Sequence, residues 1–249
     1  FSAAGLLFNL RSAPFLDLTQ PYFDAASVDA ATAAHKTYGV AGPASFEETS
    51  LSAVYFNRSL LEQHGLSLPY ASVYNGTWTW DEFFRYCATV SDINGSTDTR
   101  IYSYSTQYAA PYTPANVFYS CGGTFVNSRA GTTPKIAFSQ DNSAQANVVS
   151  RLFTDLHRNR DTENGLNQFY TGQSMFLLDR LYLMSWIPNC EDDWGILPMP
   201  KLNEEQKEYV SLTDESALFF AMQKNTVNAE TASLVLSAMN AASYGILTD

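Results

Sequence analysis

The sequence predicts an α/β fold, because short runs of strand-forming residues alternate along the chain with capped amphipathic helices. The clearest strand is Ala53–Phe56, an apolar run of β-forming residue types that is typical of a buried strand. A short helix is predicted directly after it, with a capping side chain at Asn57 and a stop at Gly65. The helical pattern of Ser143–His157 is likewise followed by a predicted strand at Met175–Leu178.

A second helix in the same region is marked by its start signals. Asn75-Gly76 predicts a turn, and Thr79 with Glu82 three residues later forms a capping box. Asp81 also lies in the first turn, where a negative charge suits the helix dipole. The apolar residues that follow repeat at helical spacing and predict one buried face. That face consists of Trp80, Phe83, Phe84 and Cys87.

Further elements follow from local patterns. Ile101–Tyr112 alternates aromatic and small polar residues, which predicts a strand that leads into a loop. A helix is predicted from Thr113 toward Tyr119, and a strand at Ala217–Met222. Thr231–Ala242 predicts a final amphipathic helix.

The composition indicates a globular protein and excludes several function classes. The chain has 249 residues, of which 45% are hydrophobic and 16% charged, enough for one large or two modest domains. Its net charge of -11 would repel a phosphate backbone, so nucleic acid is not an expected partner. No apolar run is long enough to span a bilayer, and neither a signal peptide nor a lipid-attachment cysteine is visible.

The cysteines and histidines do not form a metal-binding pattern. Cys87, Cys121 and Cys190 are odd in number and far apart, which argues against a disulfide scaffold and a zinc cluster but leaves one bridged pair open. The three histidines are scattered, so we expect no metal on them. Asp92–Asp98 alternates oxygen-bearing side chains around a glycine, as in a calcium loop, but lacks the glutamate of a full EF-hand. A plain Asn-Gly turn is the preferred interpretation there.

No catalytic or cofactor motif appears in the sequence. The G-x-S-x-G, H-E-x-x-H, P-loop and G-x-G-x-x-G patterns are all missing, so we expect neither a cofactor nor an enzyme. Carboxylate clusters at Glu47-Glu48, Glu191–Asp193 and Asp214-Glu215 keep a glycoside hydrolase as an alternative. That reaction needs two carboxylates that face each other, whereas neighbouring carboxylates on a chain usually point in different directions.

Three stretches of the chain carry motifs in a shared order. The first combines Tyr55–Leu61, Gly65-Leu66, Pro69 and Thr79–Glu82, and it matches the motifs YNK-LL, GL--P and TW-E of a known protein family. The other two are Phe169–Met175, which matches F--G-AAM, and Asp193–Lys201, which matches D-GILPMPK. On these motifs the chain resembles the bacterial extracellular solute-binding proteins of ABC importers, in the sugar-binding, maltose-binding-protein-like branch (family 1). The resemblance covers nearly the whole chain.

The resemblance implies an α/β, type II periplasmic-binding-protein fold with two lobes joined by a hinge. On this interpretation residues 1–57 are part of the first lobe, residues 58–204 form the second lobe and residues 205–249 return into the first lobe. Tyr38–Ala41 is similar to a first-lobe strand of the family. The family's early first-lobe strands and C-terminal helices have no counterpart here. We therefore expect the first lobe to be incomplete and the chain to be part of a longer protein.

The resemblance also implies where a ligand binds. Sugar binding needs planar polar side chains that hydrogen-bond hydroxyl groups, and aromatic rings that stack on the sugar face. The family's ligand-facing positions fall in four segments of this chain. The candidate residues are Phe46, Glu47, Glu48, Gln107, Tyr108, Tyr112, Asp179, Arg180, Tyr182, Asp214 and Glu215. For Asp179 and Arg180, a helix-start cap with its charge partner is an alternative role.

The function that the resemblance implies is capture of a small solute and its delivery to the membrane permease of an ABC importer. The implied ligand is a mono- or oligosaccharide, and the lobes close on it without making or breaking a bond. The implied location is extracytoplasmic, as a cell-surface lipoprotein or a periplasmic protein. The alternatives are a carbohydrate-active hydrolase and a surface adhesion module on the same fold.

Overall fold

The computed structural model describes most of the chain. The described residues are 4–45, 50–90, 101–106, 112–127, 135–137, 142–154, 160–161, 165–185, 187, 190, 192–213 and 218–248. The helices are α1 (Ala25–Ala30), α2 (Arg58–Gln63), α3 (Tyr70–Tyr74), α4 (Trp80–Ala88), α5 (Tyr112–Ser120), α6 (Ser143–Thr154), α7 (Gly165–Tyr170) and α8 (Ala229–Thr248). The strands are β1 (Thr32–Ala33), β2 (Lys36–Thr37), β3 (Ser52–Asn57), β4 (Tyr102–Ser105), β5 (Val126–Asn127), β6 (Lys135–Ile136), β7 (Arg160–Asp161), β8 (Ser174–Arg180) and β9 (Trp194–Pro198).

The described residues divide between two compact units. Unit 1 comprises Phe1–Thr49, Val126–Ala137 and Glu215–Asp249, and unit 2 comprises Ser50–Phe125 and Phe138–Asp214. The lobe boundaries given by the resemblance, after residues 57 and 204, remain a prediction.

Unit 2 is built on a mixed sheet with the strand order β7-β4-β8-β3-β9. β4 runs parallel to β7 and β8, whereas β3 runs antiparallel to β8 and β9. Parallel neighbours need a long connection, and α5, α6 and α7 lie in the connection from β4 to β8. Because β4 and β8 are parallel, they end at the same edge of the sheet.

Both faces of this sheet are covered at β3, which explains why that strand is apolar from Ala53 to Phe56. All residues of β3 are buried. Val54 and Phe56 belong to a core that also contains Trp78, Trp80 and Phe83, whereas Tyr55 belongs to a second core. The second core contains Phe169, Leu177, Leu183 and Ile187. Strands buried on both faces lose the polar alternation of half-buried strands, in agreement with the apolar run at Ala53–Phe56.

The start of α4 forms the predicted cap at Thr79 but not the full capping box. The Thr79 hydroxyl accepts a hydrogen bond from the Glu82 backbone N–H at 3.3 Å, which caps the helix. The Glu82 carboxylate accepts two hydrogen bonds from Arg85, each at 2.7 Å, in place of the return bond of a full capping box. The predicted apolar face is confirmed, since its members are at most 4% exposed. They are Trp80, Phe83, Phe84 and Cys87.

Unit 1 packs α1 and α8 around a smaller core. This core contains Leu10, Phe23, Val28, Val40, Met222 and Leu236. The Tyr22 and Ser237 hydroxyl groups lie 3.0 Å apart and connect α8 to the segment that precedes α1. β1 and β2 form a hairpin whose two loop residues, Ala34 and His35, have φ values of 48° and 63°. Positive φ at both positions is the geometry of a type I′ turn.

Two predicted strands of unit 1 shorten to a single bridge in the described residues. Tyr38–Ala41 and the described part of Ala217–Met222 meet only at Val40 and Phe220, which exchange hydrogen bonds of 3.0 and 2.8 Å. Pro43 then starts a 3₁₀ turn, and proline has no N–H to extend a ladder.

Other departures from the predictions concern helices. α3 was not predicted, and α8 extends beyond the predicted Thr231–Ala242 at both ends.

All three cysteines are free, so no pair is bridged. Burial raises the pKa of the Cys121 thiol to about 12 and that of Cys87 well above its ordinary value, which disfavours the reactive thiolate. Within the part of the chain that the structure describes, no helix could cross a membrane.

Candidate functional site

One edge of the unit 2 sheet gathers several of the chain segments that contain predicted site residues. We call it the carboxyl edge: β4, β8 and β9 end there and β3 begins there. Ser105 of β4 pairs with Leu177 of β8, and Arg180 at the end of β8 pairs with Ser52 at the start of β3. Pro198, the last residue of β9, pairs with Ala53. The strand directions therefore bring distant parts of the sequence together at this edge.

A further segment joins the carboxyl edge through backbone hydrogen bonds. Thr213 forms an antiparallel bridge with Leu51, and the Ser52 N–H donates to the Leu212 carbonyl at 3.1 Å. On the other side, the Leu181 N–H donates to the Leu51 carbonyl at 2.9 Å. The residues before Asp214 and those after Asp179 are thus held against Leu51 and Ser52.

The end of β4 is closely packed against the start of α7. The buried hydroxyl groups of Thr106 and Thr113 lie 3.0 Å apart. The Ser105 hydroxyl donates to the Gly165 carbonyl at 2.9 Å. A Cβ atom at Gly165 would lie 2.5 Å from backbone atoms of Thr106, so a glycine is required for this approach. Thr106, the residue before the predicted Gln107, is therefore fixed by packing.

Asp179, Arg180 and Tyr182 form a compact polar and aromatic cluster at the end of β8. The Asp179 carboxylate accepts the Arg180 backbone N–H at 2.7 Å and lies 3.8 Å from Arg180 Nε. The guanidinium carbon lies 4.6 Å from the centre of the Tyr182 ring, and Nη2 lies 3.4 Å from the Tyr182 hydroxyl. A cation over an aromatic face is an attractive arrangement, so the aspartate and the tyrosine both hold the arginine.

Tyr55 supports this cluster from the core and was not among the predicted site residues. Its ring is fully buried, and its hydroxyl donates a hydrogen bond to the Arg180 carbonyl at 2.8 Å. Burial, and secondarily the charge of Asp179, raises the pKa of the Tyr55 hydroxyl above its ordinary value. The sequence offers no signal for this role, since a tyrosine in an apolar strand is typical of core packing.

The side chains of the other eight predicted site residues lie outside the description. Phe46, Glu47, Glu48, Gln107, Tyr108, Asp214 and Glu215 lie outside the described residues, as does the Asp92–Asp98 loop. Tyr112 begins α5, and its side chain is outside the description. The structure therefore brings Asp179, Arg180 and Tyr182 together and leaves the remainder as predictions.

The cluster offers hydrogen-bonding groups and an aromatic surface. A guanidinium group donates in a planar fork, and a phenol both donates and accepts, so the pair matches hydroxyl-rich ligands. Among the described residues, no group of histidine, cysteine, aspartate and glutamate side chains could hold a metal ion. A concavity of about 450 Å³ also lies in unit 1, and its described lining, which includes Phe8, Asn9, Tyr38 and Lys224, contains no predicted site residue.

The chain matches one protein family over most of its length. The model of the family described as bacterial extracellular solute-binding protein matches residues 9–242. A comparison with curated protein sequences gives no match.

Solved structures of substrate-binding proteins are similar to nearly the whole chain. The ABC substrate-binding protein Lmo0181 from Listeria monocytogenes, in complex with cycloalternan, is 16% identical with a TM-score of 0.62, and the match covers 96% of this chain and 57% of that chain. The GacH receptor of Streptomyces glaucescens, solved unliganded and with acarbose, is 16% identical with a TM-score of 0.64 and covers 96% and 57%. UgpB from Mycobacterium tuberculosis, in complex with glycerophosphocholine, is 13% identical with a TM-score of 0.62 and covers 96% and 56%.

These matches confirm the α/β, type II periplasmic-binding-protein fold that the sequence predicts. The chain spans about 57% of the length of the first of these structures, so the comparison concerns part of each relative. At such low identity the similarity shows the fold and not the ligand.

Proposed function

Because the chain belongs to the bacterial extracellular solute-binding protein family, we propose that the whole protein captures a carbohydrate outside the cytoplasmic membrane and delivers it to an ABC permease. The family description supports an extracytoplasmic location, and a lipoprotein or periplasmic form is part of the proposal. The ligands named for Lmo0181 and GacH, cycloalternan and acarbose, support a sugar. The glycerophosphocholine complex of UgpB indicates which non-sugar ligand to compare.

The observation that carries the proposal is the Asp179–Arg180–Tyr182 cluster at the carboxyl edge. It combines an aromatic ring with planar polar groups, the two features that sugar recognition requires. Arg180 and Tyr182 are partly exposed, so a ligand can reach them. The predicted residues Gln107, Tyr108 and Asp214, which belong to unit 2 like the cluster, would complete the site under this proposal.

The proposed function is binding without catalysis. A glycoside hydrolase needs a carboxyl group that faces the scissile bond as an acid or as a base or nucleophile. The Asp179 side chain is 2% exposed and is engaged by Arg180, so it is badly placed for either role. Asp179 is the described carboxylate of the cluster, and incubation of the protein with sugars tests the other carboxylates for catalysis.

The proposal is tested on the full-length protein with a defined set of ligands. The sugar panel consists of glucose, maltose, maltotriose, cycloalternan and acarbose, with glycerophosphocholine as a non-sugar comparison. A ligand that binds only the folded state raises the Tm by mass action. For the sugar with the largest shift, Tyr182→Ala is expected to raise the Kd about tenfold, because the stacking ring is lost.

The matched control is Tyr74→Ala, which removes the same side chain from a position that is 88% exposed and outside the cluster. Its Kd is expected to equal that of the parent. Equal affinity of parent and Tyr182→Ala would remove the cluster from the site. A panel without any shift would contradict the carbohydrate assignment, and new products after incubation would favour the hydrolase.

A further inference from the structure

We propose that Asp179 is a positioning residue that sets the charge preference of the site, so that the carboxyl edge favours neutral over anionic ligands. The inference rests on the proposed function, because it concerns the same cluster. It changes the role given to Asp179 by the sequence, which was direct contact with the ligand.

The two charged residues, Asp179 and Arg180, differ in burial. The Asp179 side chain is 2% exposed and that of Arg180 is 18% exposed. A ligand that approaches the carboxyl edge therefore meets the guanidinium group before the carboxylate. Asp179 is thus shielded from solvent, and under this proposal it acts on the ligand through Arg180.

Asp179 and Tyr182 hold Arg180 from two sides. Asp179 Oδ1 accepts the backbone N–H of Arg180 at 2.7 Å and lies 3.8 Å from Nε of the same residue. The Tyr182 ring fixes the other end, with the guanidinium carbon 4.6 Å from its centre. A long side chain held at both ends loses less freedom when it binds a ligand, so these contacts favour tight binding.

Asp179 also acts electrostatically. The carboxylate offsets the positive charge of the guanidinium group, so the pair presents donors without a net charge. A unit charge within a few ångströms of a ligand, in a partly buried position, changes the affinity for a charged ligand by at least about tenfold. Removal of the carboxylate should therefore admit anions that the parent disfavours, with little effect on neutral ligands.

Asp179→Asn is the matched substitution for this test. Asparagine keeps an oxygen that can accept the Arg180 N–H, removes the charge and replaces the other carboxylate oxygen with an amide NH2 group. Arg180→Gln gives the mirror case, with the carboxylate left uncompensated. The double substitution Asp179→Asn/Arg180→Gln leaves neither charge.

The experiment compares the full-length parent and these three variants with glucose, glucuronate and glucosamine, at pH 6.5 and constant ionic strength. Folding is checked by circular dichroism, and the ligand-induced shift in Tm is converted to an apparent Kd. Asp179→Asn is expected to shift the glucuronate-to-glucose preference toward glucuronate by at least about tenfold. Arg180→Gln is expected to shift the preference toward glucosamine, and the double variant is expected to show neither change.

The ratio of affinities is the informative quantity, because a purely structural role would change all three ligands alike. Equal ratios in parent, Asp179→Asn and Arg180→Gln would overturn the inference, and so would the absence of a glucuronate shift in Asp179→Asn together with the absence of a glucosamine shift in Arg180→Gln. If Asp179→Asn does not fold, the Arg180→Gln arm decides by itself. Failure of the parent to bind the sugar panel would instead contradict the proposed function. The results with glucuronate and glucosamine would still test the charge preference.

Discussion

Replacement of Tyr55 by phenylalanine tests the link between the core of unit 2 and the candidate site. The substitution removes one hydroxyl group, which donates to the Arg180 carbonyl at 2.8 Å, and keeps the buried ring. The ring contacts with Phe169 and Trp194, at centroid distances of 6.4 and 6.0 Å, remain available. The change in stability therefore reports mainly on the hydrogen bond.

At neutral pH, Tyr55→Phe is expected to lower the free energy of unfolding by about 1 kcal/mol, the usual net value of a buried hydrogen bond. The alkaline range gives a sharper prediction. Burial raises the pKa of Tyr55 in the folded protein above the ordinary value of 10.0, so the hydroxyl stays protonated there after it ionises in the unfolded chain. Its contribution to stability is complete below pH 10 and is lost as the pH rises toward the folded pKa.

At pH 11 the parent loses about 1.4 kcal/mol of stability, because Tyr55 ionises in the unfolded chain. Tyr55→Phe has no hydroxyl group to ionise and keeps that stability. Parent and variant are therefore expected to be equally stable at about pH 10.7, and the variant is expected to be more stable above that pH. Urea unfolding at several values between pH 7 and pH 11 measures this. Tyr74→Phe, at a position that is 88% exposed, is the control and should stay within about 0.5 kcal/mol of the parent at pH 7. A stability difference for Tyr55→Phe that is constant across the whole pH range would refute the reasoning.

Two further predictions concern local structure. Thr79→Ala should destabilise the protein by about 1 kcal/mol in urea unfolding, because the α4 cap is lost, and Thr79→Ser should retain most of that stability; equal losses in both would contradict a capping role. The double substitution Ala34→Asn/His35→Gly should stabilise the protein by about 1 kcal/mol, because these residues suit the positive φ values of the hairpin turn, and an unchanged Tm would show that the turn is not strained.

Elements with local signals were predictable from the sequence. β3 extends the predicted Ala53–Phe56 by one residue at each end. The Asn57 side chain caps α2 by accepting the Leu60 N–H at 2.9 Å, as its position suggests. Gly65 follows with a φ of 66°, a conformation that glycine adopts without strain. Such signals are contained in a few consecutive residues and need no tertiary information.

Features that depend on distant partners were not predictable. α3 has a proline at its N-cap and no capping hydrogen bond, so it carries little local signal. The bridge between Val40 and Phe220 joins residues far apart in sequence, and its length depends on which neighbours lie opposite.

For the site, the resemblance selected Asp179, Arg180 and Tyr182 together. The stacking of Arg180 on Tyr182 and the burial of Asp179 depend on the side-chain conformations at the end of β8. Periodicity and motif spacing carry no information on either feature.

The most direct test of the central claim is calorimetric titration of the full-length protein with the sugar panel, followed by chromatography of the recovered sugar. We expect saturable binding of at least one sugar, weakened about tenfold by Tyr182→Ala, and recovery of that sugar unchanged. Absence of heat from every sugar, or recovery of a shortened one, would contradict capture of a carbohydrate at the carboxyl edge.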